Sequence, residues 1–407
     1  MSGGLIRCET SCKIWTSEPD ICIICPAHKM PRPNGPKQKQ ERRQRDDPAG
    51  AASRQSLAAV SVVIFHYKNF INSSATAALP PDGWRDLELL RPLHLILDNG
   101  GLAVMLFWSI SGFVFAHVYG PLTGRISGRD YAVKRFARLY PLHFLTLLYI
   151  ALLALISGQK LMYGFRNNDA YHFMLQLFMA SHWGLEKGLS FNGPIWSVSA
   201  EVASYVVFFL VLSRFGLSLK SALASLIVSA GLAQVLKYDI FLCCFYFFTG
   251  SLAWIGLRHA FARGAWLRWL WPGLTLVVAG GLAMAQRQGL GLPLSVVMSA
   301  SNFALLTLIG SLEVASPRSF AWLKPFGDIT YSSYLLHTPI QMTVVLAILR
   351  GLLPAQILLS NAFCLGYLCV VAVLSALAYR WIEYPAQLFL NRHLCGKKTP
   401  RSGLAAS

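Results

Sequence analysis

The chain has 407 residues, of which 55% are hydrophobic and 13% charged, against the roughly 25% charged residues of ordinary soluble domains. Its apolar residues gather in blocks such as 139–157, 216–236, 239–257 and 355–379, each close to the roughly 20 residues that cross a bilayer. A soluble globular protein is thereby excluded, and so is a nucleic-acid partner: the net charge of +18 sits in short stretches between apolar blocks, the pattern of positive-inside membrane topology.

Residues 1–53 are polar, basic and rich in Pro and Gly. They read as a disordered cytosolic tail, or as an extended start with Met30 as the working first residue. No signal peptide is expected, because the first long apolar run begins only near Ser56. Cys8, Cys12, Cys22 and Cys25, with His28 nearby, are compatible with a small zinc site, although their intervals are loose and no metal is expected. The other cysteines, Cys243, Cys244, Cys364 and Cys369 among them, lie in apolar segments and read as small hydrophobes.

From there the hydropathy predicts an all-α, polytopic membrane bundle of about ten transmembrane helices. They fall near 56–71, 101–119, 139–157, 196–213, 216–236, 239–257, 268–285, 292–311, 327–349 and 355–380. The amphipathic stretch 173–191 is expected to lie in the interface or re-enter the membrane. With the N-terminus in the cytosol, the cytosolic segments collect most of the arginine and lysine, including the run Arg125–Arg138, and the basic tail 391–407 returns to the same side. On this arrangement both termini are expected in the cytosol with the bilayer as partner, and a plasma-membrane location is expected.

Polar and ionisable residues within such segments are expensive and are functional candidates by default. His66 is the first. From Arg54, twelve residues at 1.5 Å each place it roughly 18 Å into the membrane. A neutral imidazole there can accept a proton from a hydroxyl, or can be satisfied by a neighbouring helix. Arg135 and Arg138, in a loop at the mouth of the third helix, are three residues apart and so would share a helical face. They can clamp phosphates, or they can set orientation and meet lipid head groups. At the opening of the fourth helix, Trp196 and Ser197 precede Glu201 and Tyr205, and the last three share a face at intervals of four. That carboxylate needs a partner or a wet cavity. In the segment 325–339, Asp328 can cap a helix. Pro339 frees the carbonyl of Leu335, and Tyr331, Ser333 and His337 add polar groups to a cavity wall or to a self-satisfied kink. Glu383, three residues after Arg380, reads as half of a local ion pair. His143, in a leucine-rich helix, reads as a core residue.

Taken in order, these segments resemble the acyltransferase-3 family. Residues 57–66, ending in His66, look like its first helix. Phe107-Trp108-Ser109-Ile110-Ser111-Gly112-Phe113 resembles its Phe-Phe-x-x-Ser-Gly-Phe signature. Arg135-x-x-Arg138 with Pro141 resembles its basic segment, and Trp196-Ser197 with Glu201 its Trp-Ser-x-x-x-Glu segment. Phe326-Gly327 through His337 and Pro339 resembles its ninth-helix motif, and Glu383-Tyr384-Pro385 its closing Glu-x-Pro. The likeness covers residues 54–390.

It implies a membrane-bound O-acyltransferase that moves acetyl from acetyl-CoA onto hydroxyls of a cell-surface or exported carbohydrate such as O-antigen or exopolysaccharide. It also implies His66 as the catalytic residue, and Glu201 is taken as a second catalytic candidate. Arg135 and Arg138 would handle the acyl-CoA donor, and Ser111, Trp196, Ser197, Tyr331 and His337 would line the cavity. Two positions depart from the pattern. The family's arginine eleven residues before the histidine is Gln55 here, with Arg54 one earlier. Eleven steps bring the two side chains within roughly 20° and twelve leave them about 120° apart, so Arg54 needs a long reach or a bulge to serve. Met105 stands where members often carry an acid. The rival readings are a transporter of a lipid-linked glycan or acyl donor, which would favour repeated halves with broken helices, and an interaction protein working through its N-terminal tail.

Overall fold

The computed structural model describes residues 60–71, 73–124, 126–157, 167–264, 266–316 and 327–395. The N-terminal tail with its four cysteines, Arg54 and most of the C-terminal tail lie outside these residues. The described residues are helical without strands, and nine of their helices are long and apolar enough to cross a membrane.

The helices follow in chain order. α1 covers the described residues 60–66 and passes into a 3-10 turn, Tyr67–Phe70. Next come α2 (His94–Tyr119), α3 (Gly128–Ser157), the short α4 (Ala170–Leu177) and α5 (Ile195–Phe215). α6 (Leu219–Leu236), α7 (Asp239–Arg263), α8 (Leu267–Arg287) and α9 (Leu294–Ala315) complete the middle of the chain. α10 (Thr330–Leu349) and α11 (Asn361–Ala378) follow, and a π turn at Tyr379–Glu383 joins α11 to α12 (Tyr384–Leu394).

Burial sorts the helices into layers. α7 and α10 are the most enclosed, whereas α6 and α8 bury only 11% of their apolar windows and so form an outer, lipid-facing layer. α2 packs most extensively on α7, and glycine sets their separation. A Cβ on Gly112 would stand 1.7 Å from the carbonyl oxygen of Phe247, and one on Gly250 would stand 1.7 Å from that of Ser109. Ser251 Oγ donates to the Gly112 carbonyl across the same crossing at 3.0 Å. Small residues that let two backbones touch are the usual device where lipid tails give no hydrophobic drive between helices.

Three expectations change. The second helix begins at His94, not 101, and runs through a non-helical residue at Asn99. The Asn-Gly-Gly sequence reads locally as a break, but here it marks a bend, and Gly100 has no room for a Cβ beside Phe65. The third helix starts at Gly128, so the arginine segment expected as a loop is helical and Pro141 lies inside the helix. The stretch 173–191 is helical only to Leu177. Its remainder is an irregular segment bound to the bundle: the Gln176 carbonyl meets His143 Nε2 at 2.7 Å, and Gln176 Nε2 donates to the Ser190 carbonyl at 2.9 Å. The buried His143 expected in the core is thus a tether at the α4 end of this segment.

Candidate functional site

A cavity of about 160 Å³ lies between α1, α2, α3, α5, the start of α10 and the π turn. Its lining on α2 runs from Val104 to Tyr119, about 22 Å at 1.5 Å per residue. It is therefore long and narrow. Polar side chains are distributed along it in a definite order.

Tyr334, Ser197 and Trp108 stand at the α2 Val104 end. Tyr334 donates to the Pro194 carbonyl at 2.8 Å and sits against the Ser197 hydroxyl, and Trp108 Nε1 donates to the Ser197 carbonyl at 3.2 Å. Midway stands Glu201, which is 7% exposed. One of its carboxylate oxygens accepts from Ser111 and, at 2.8 Å, from Tyr205. A carboxyl buried in such a place needs hydrogen bonds in place of water, and these two supply them. Tyr205 stacks on Phe115 with ring centroids 4.4 Å apart. Beyond it the Arg135 guanidinium lies 5.0 Å from the Phe115 ring and 5.6 Å from that of Tyr119, an arrangement that favours a desolvated cation. Arg138 lines the same end.

Next to the opposite end are two stacked imidazoles, those of His66 and His337, with centroids 4.8 Å apart. They do not line the cavity. Tyr334 joins them to it: its ring lies 5.9 Å from that of His337 and 6.2 Å from that of Phe107, while Val62, one turn before His66, is in the lining. Nδ1 of His66 and Nε2 of His337 are buried with no protein hydrogen-bond partner. Such orphaned nitrogens invite a substrate group or water. Phe65 abuts Gly100, so the histidines sit at the Gly100 level of α2 and the arginines at the level of Phe115 to Tyr119. The separation along α2 is about 22–28 Å, nearly a hydrocarbon core of about 30 Å.

The sequence-predicted residues thus fall into groups. Ser111, Arg135, Arg138, Ser197, Glu201 and Tyr331 share one cavity. His66 and His337 pair beside it. Trp196 turns away, packing edge-on against Trp108 at 5.7 Å and His182 at 5.3 Å. Arg54 is outside the described residues. Asp328 lines the cavity instead of capping a helix, since α10 takes Ile329 as its N-cap. Glu383 is matched with Arg138 at 2.7 Å, and its proposed local partner Arg380 points to the exposed surface. The wider π turn rotates positions 380 and 383 off a common face.

Pro339 behaves as its chemistry requires. The Leu335 carbonyl it frees accepts from Asn192 Nδ2 at 3.1 Å, so the irregular segment before α5 closes the gap in α10. Tyr334 and Asn192 were not singled out in the sequence. Tyr334 carried a signal, lying three residues from both Tyr331 and His337 and so on their face.

Outside the spans, His182 clips the segment before α5 to the start of α7. Its Nε2 is 2.6 Å from Asp239 and its Nδ1 3.2 Å from Glu186. Burial pulls the imidazole pKa down, but the Asp239 hydrogen bond and the Glu186 charge outweigh it, and the net shift is upward. A histidine raised in the folded state stabilises fully below its unfolded pKa and loses that contribution as pH rises through the folded one. The melting temperature of His182→Gln should therefore trail that of the parent more at pH 6 than at pH 9. An equal gap at both would refute the clip.

Fold and cavity define a polytopic membrane protein with a narrow internal cavity that has two arginines at one end and a buried histidine pair beside the other. The chain belongs to the acyltransferase-3 family, whose acyltransferase domain matches residues 55–380, and it is an acyl-transfer enzyme. Over 360 residues it is 25% identical to BcsY of Komagataeibacter xylinus, a proposed membrane-bound transacylase, covering 77% of this chain and 85% of that one. Over 118 residues it is 31% identical to the acyltransferase MdmB of Streptomyces mycarofaciens, covering 28% and 29% of the two chains. A 52-residue stretch is 50% identical to protein 2 of the picA locus of Rhizobium radiobacter, covering 12% and 27%. No solved structure matches the chain.

Proposed function

We propose that the chain transfers an acetyl group from acetyl-CoA to a hydroxyl of a cell-surface or exported glycan, with His66 as general base. It works in the plasma membrane with both termini in the cytosol. The observation that carries this reading is the narrow cavity with two arginines at one end and the stacked His66–His337 pair beside the other. A thioester on a long phosphate-bearing carrier needs such a passage when its acceptor lies across the membrane.

The donor's phosphates meet Arg135 and Arg138 at the cytosolic mouth. The pantetheine arm extends past Glu201 and Ser111, and the thioester carbonyl comes to rest near Tyr334. The acceptor hydroxyl arrives from the far side, and its oxygen bonds to the acyl carbon as His66 takes its proton. The C–S bond then breaks, and the proton passes from His66 to the departing thiolate. Glu201, Ser111, Tyr331 and His337 hold and polarise the groups along the way. Ser197 and Tyr334 shape the inner end, and Trp196 supports it through Trp108.

The test is isotope transfer in proteoliposomes of the purified full chain, supplied with acetyl-labelled acetyl-CoA and a surface-glycan extract. Label covalently bound to glycan, and released by mild base as an ester, is expected. Movement of donor or glycan across the bilayer without covalent label would overturn the reading in favour of transport.

A further inference from the structure

We infer that Glu383 is a positioning residue of the donor site: it holds the Arg138 guanidinium in the cavity wall and thereby makes the π turn after α11 part of acyl-donor recognition. The inference rests on the reading that Arg138 meets the donor's phosphates.

Glu383 is fully buried, with 0% exposure, and does not itself line the cavity. Its Oε1 lies 2.7 Å from Arg138 Nη1 and 3.4 Å from Gln387 Nε2, and its Oε2 accepts from Ser332 Oγ at 2.6 Å. Both carboxylate oxygens are thus engaged, by groups from α3, α10 and α12. Arg138, by contrast, is partly exposed and lines the cavity, as does Gln387. The carboxylate stands behind the cation, which faces the space where a ligand would bind.

Two physical points make this more than an internal ion pair. Burying a carboxylate is costly, and burying a carboxylate with its cation is often no more stable than an apolar replacement, so stability alone gives weak grounds for keeping the pair. The local backbone is also unusual. α11 and α12 would run on as one helix but for the π turn Tyr379–Glu383, and such turns are rare and concentrate at functional sites. Regular α-helical winding would put Glu383 on the face of the exposed Arg380. The π turn instead carries it to the bundle interior and against Arg138. A guanidinium has five donors in a fixed plane, so one edge can lie on a carboxylate while another meets a phosphate. Fixing that plane in advance removes rotamer freedom that a phosphate would otherwise have to quench.

The experiment measures affinity of the full chain in lipid nanodiscs for acetyl-CoA and for S-acetylpantetheine, which carries the thioester arm and no phosphate. The variants are Glu383→Gln, Arg138→Gln and the two combined. Weakening of acetyl-CoA binding by about tenfold in both single variants is expected, with no further loss in the double variant and unchanged binding of S-acetylpantetheine. A folded Glu383→Gln with parental affinity for acetyl-CoA, beside a weakened Arg138→Gln, overturns the positioning role alone. Parental affinity in Arg138→Gln overturns the phosphate role of Arg138, and the inference with it. A merely structural role would weaken both ligands together, and this result also counts against it. Should Glu383→Gln fail to accumulate, the neutral double variant decides: affinity equal to that of Arg138→Gln supports the pairing, and a larger loss shows Glu383 acting by some other route.

Discussion

His66→Ala is expected to lower acetyl transfer by about 10²–10⁴-fold, the usual weight of a positioned general base, while the protein still inserts, folds and binds acetyl-CoA. The environment of His66 supports the second half of that expectation. The strong hydrogen bond at this residue goes from Gln341 Nε2 to its backbone carbonyl, at 2.7 Å, and survives the substitution. The imidazole contributes stacking on His337, an edge contact with Phe65 and a polar contact with the Val62 backbone one turn earlier, so its loss costs local contacts and leaves the α1–α10 tether intact. The measurement is turnover of labelled acetyl-CoA with glycan acceptor, alongside donor affinity. Parental turnover in the folded variant would remove His66 from the chemistry. A loss of donor affinity equal to the loss of turnover would move its role to binding.

Much of this site could be read from the chain because its chemistry is local. Ser197, Glu201 and Tyr205 recur every four residues, and helical geometry alone puts them on one face, where the structure has Glu201 accepting from Tyr205 and from Ser111 across the gap. Pro339 announces an orphaned carbonyl at Leu335 from covalent structure alone. What sequence could not give is who answers such needs from elsewhere in the chain. Asn192 reaches the Leu335 carbonyl from an irregular segment with no periodicity to mark it. Glu383 had an adequate local partner at Arg380, and only the π turn, which depends on tertiary packing, sends it to Arg138 instead. The basic segment misled for another reason. The apolar block begins only at 139, so the arginines before it read as a loop although their spacing already suited one helical face. They stand instead within the continuous helix α3, where three-residue spacing sets both into one cavity wall.

The Gly112 crossing gives the largest structural effect. Adding one methyl there, as Gly112→Ala, sets a carbon 1.7 Å from a backbone oxygen of Phe247. A side chain could rotate aside, but a helix backbone cannot, so α2 and α7 must separate by more than an ångström. Overpacking of this kind costs about 1–3 kcal/mol or more, and here it also stretches the Ser251 bond to the Gly112 carbonyl. The expected result is a fall in melting temperature of about 5 °C or more in detergent, with reduced accumulation in the membrane. Gly250→Ala, the reciprocal contact against Ser109, should do the same. Gly101→Ala, on the same helix with nothing within 4 Å of the added carbon, should change little, which separates crowding from a general effect of alanine. The consequence reaches the site, because Ser111 is the residue before Gly112 and donates to Glu201. Moving α2 outward pulls that hydroxyl from the carboxylate, so any Gly112→Ala protein that folds should also turn over more slowly. Parental stability and turnover in that variant would mean that the two helices do not meet at this distance, and that the Ser111–Glu201 contact is held by something other than the crossing.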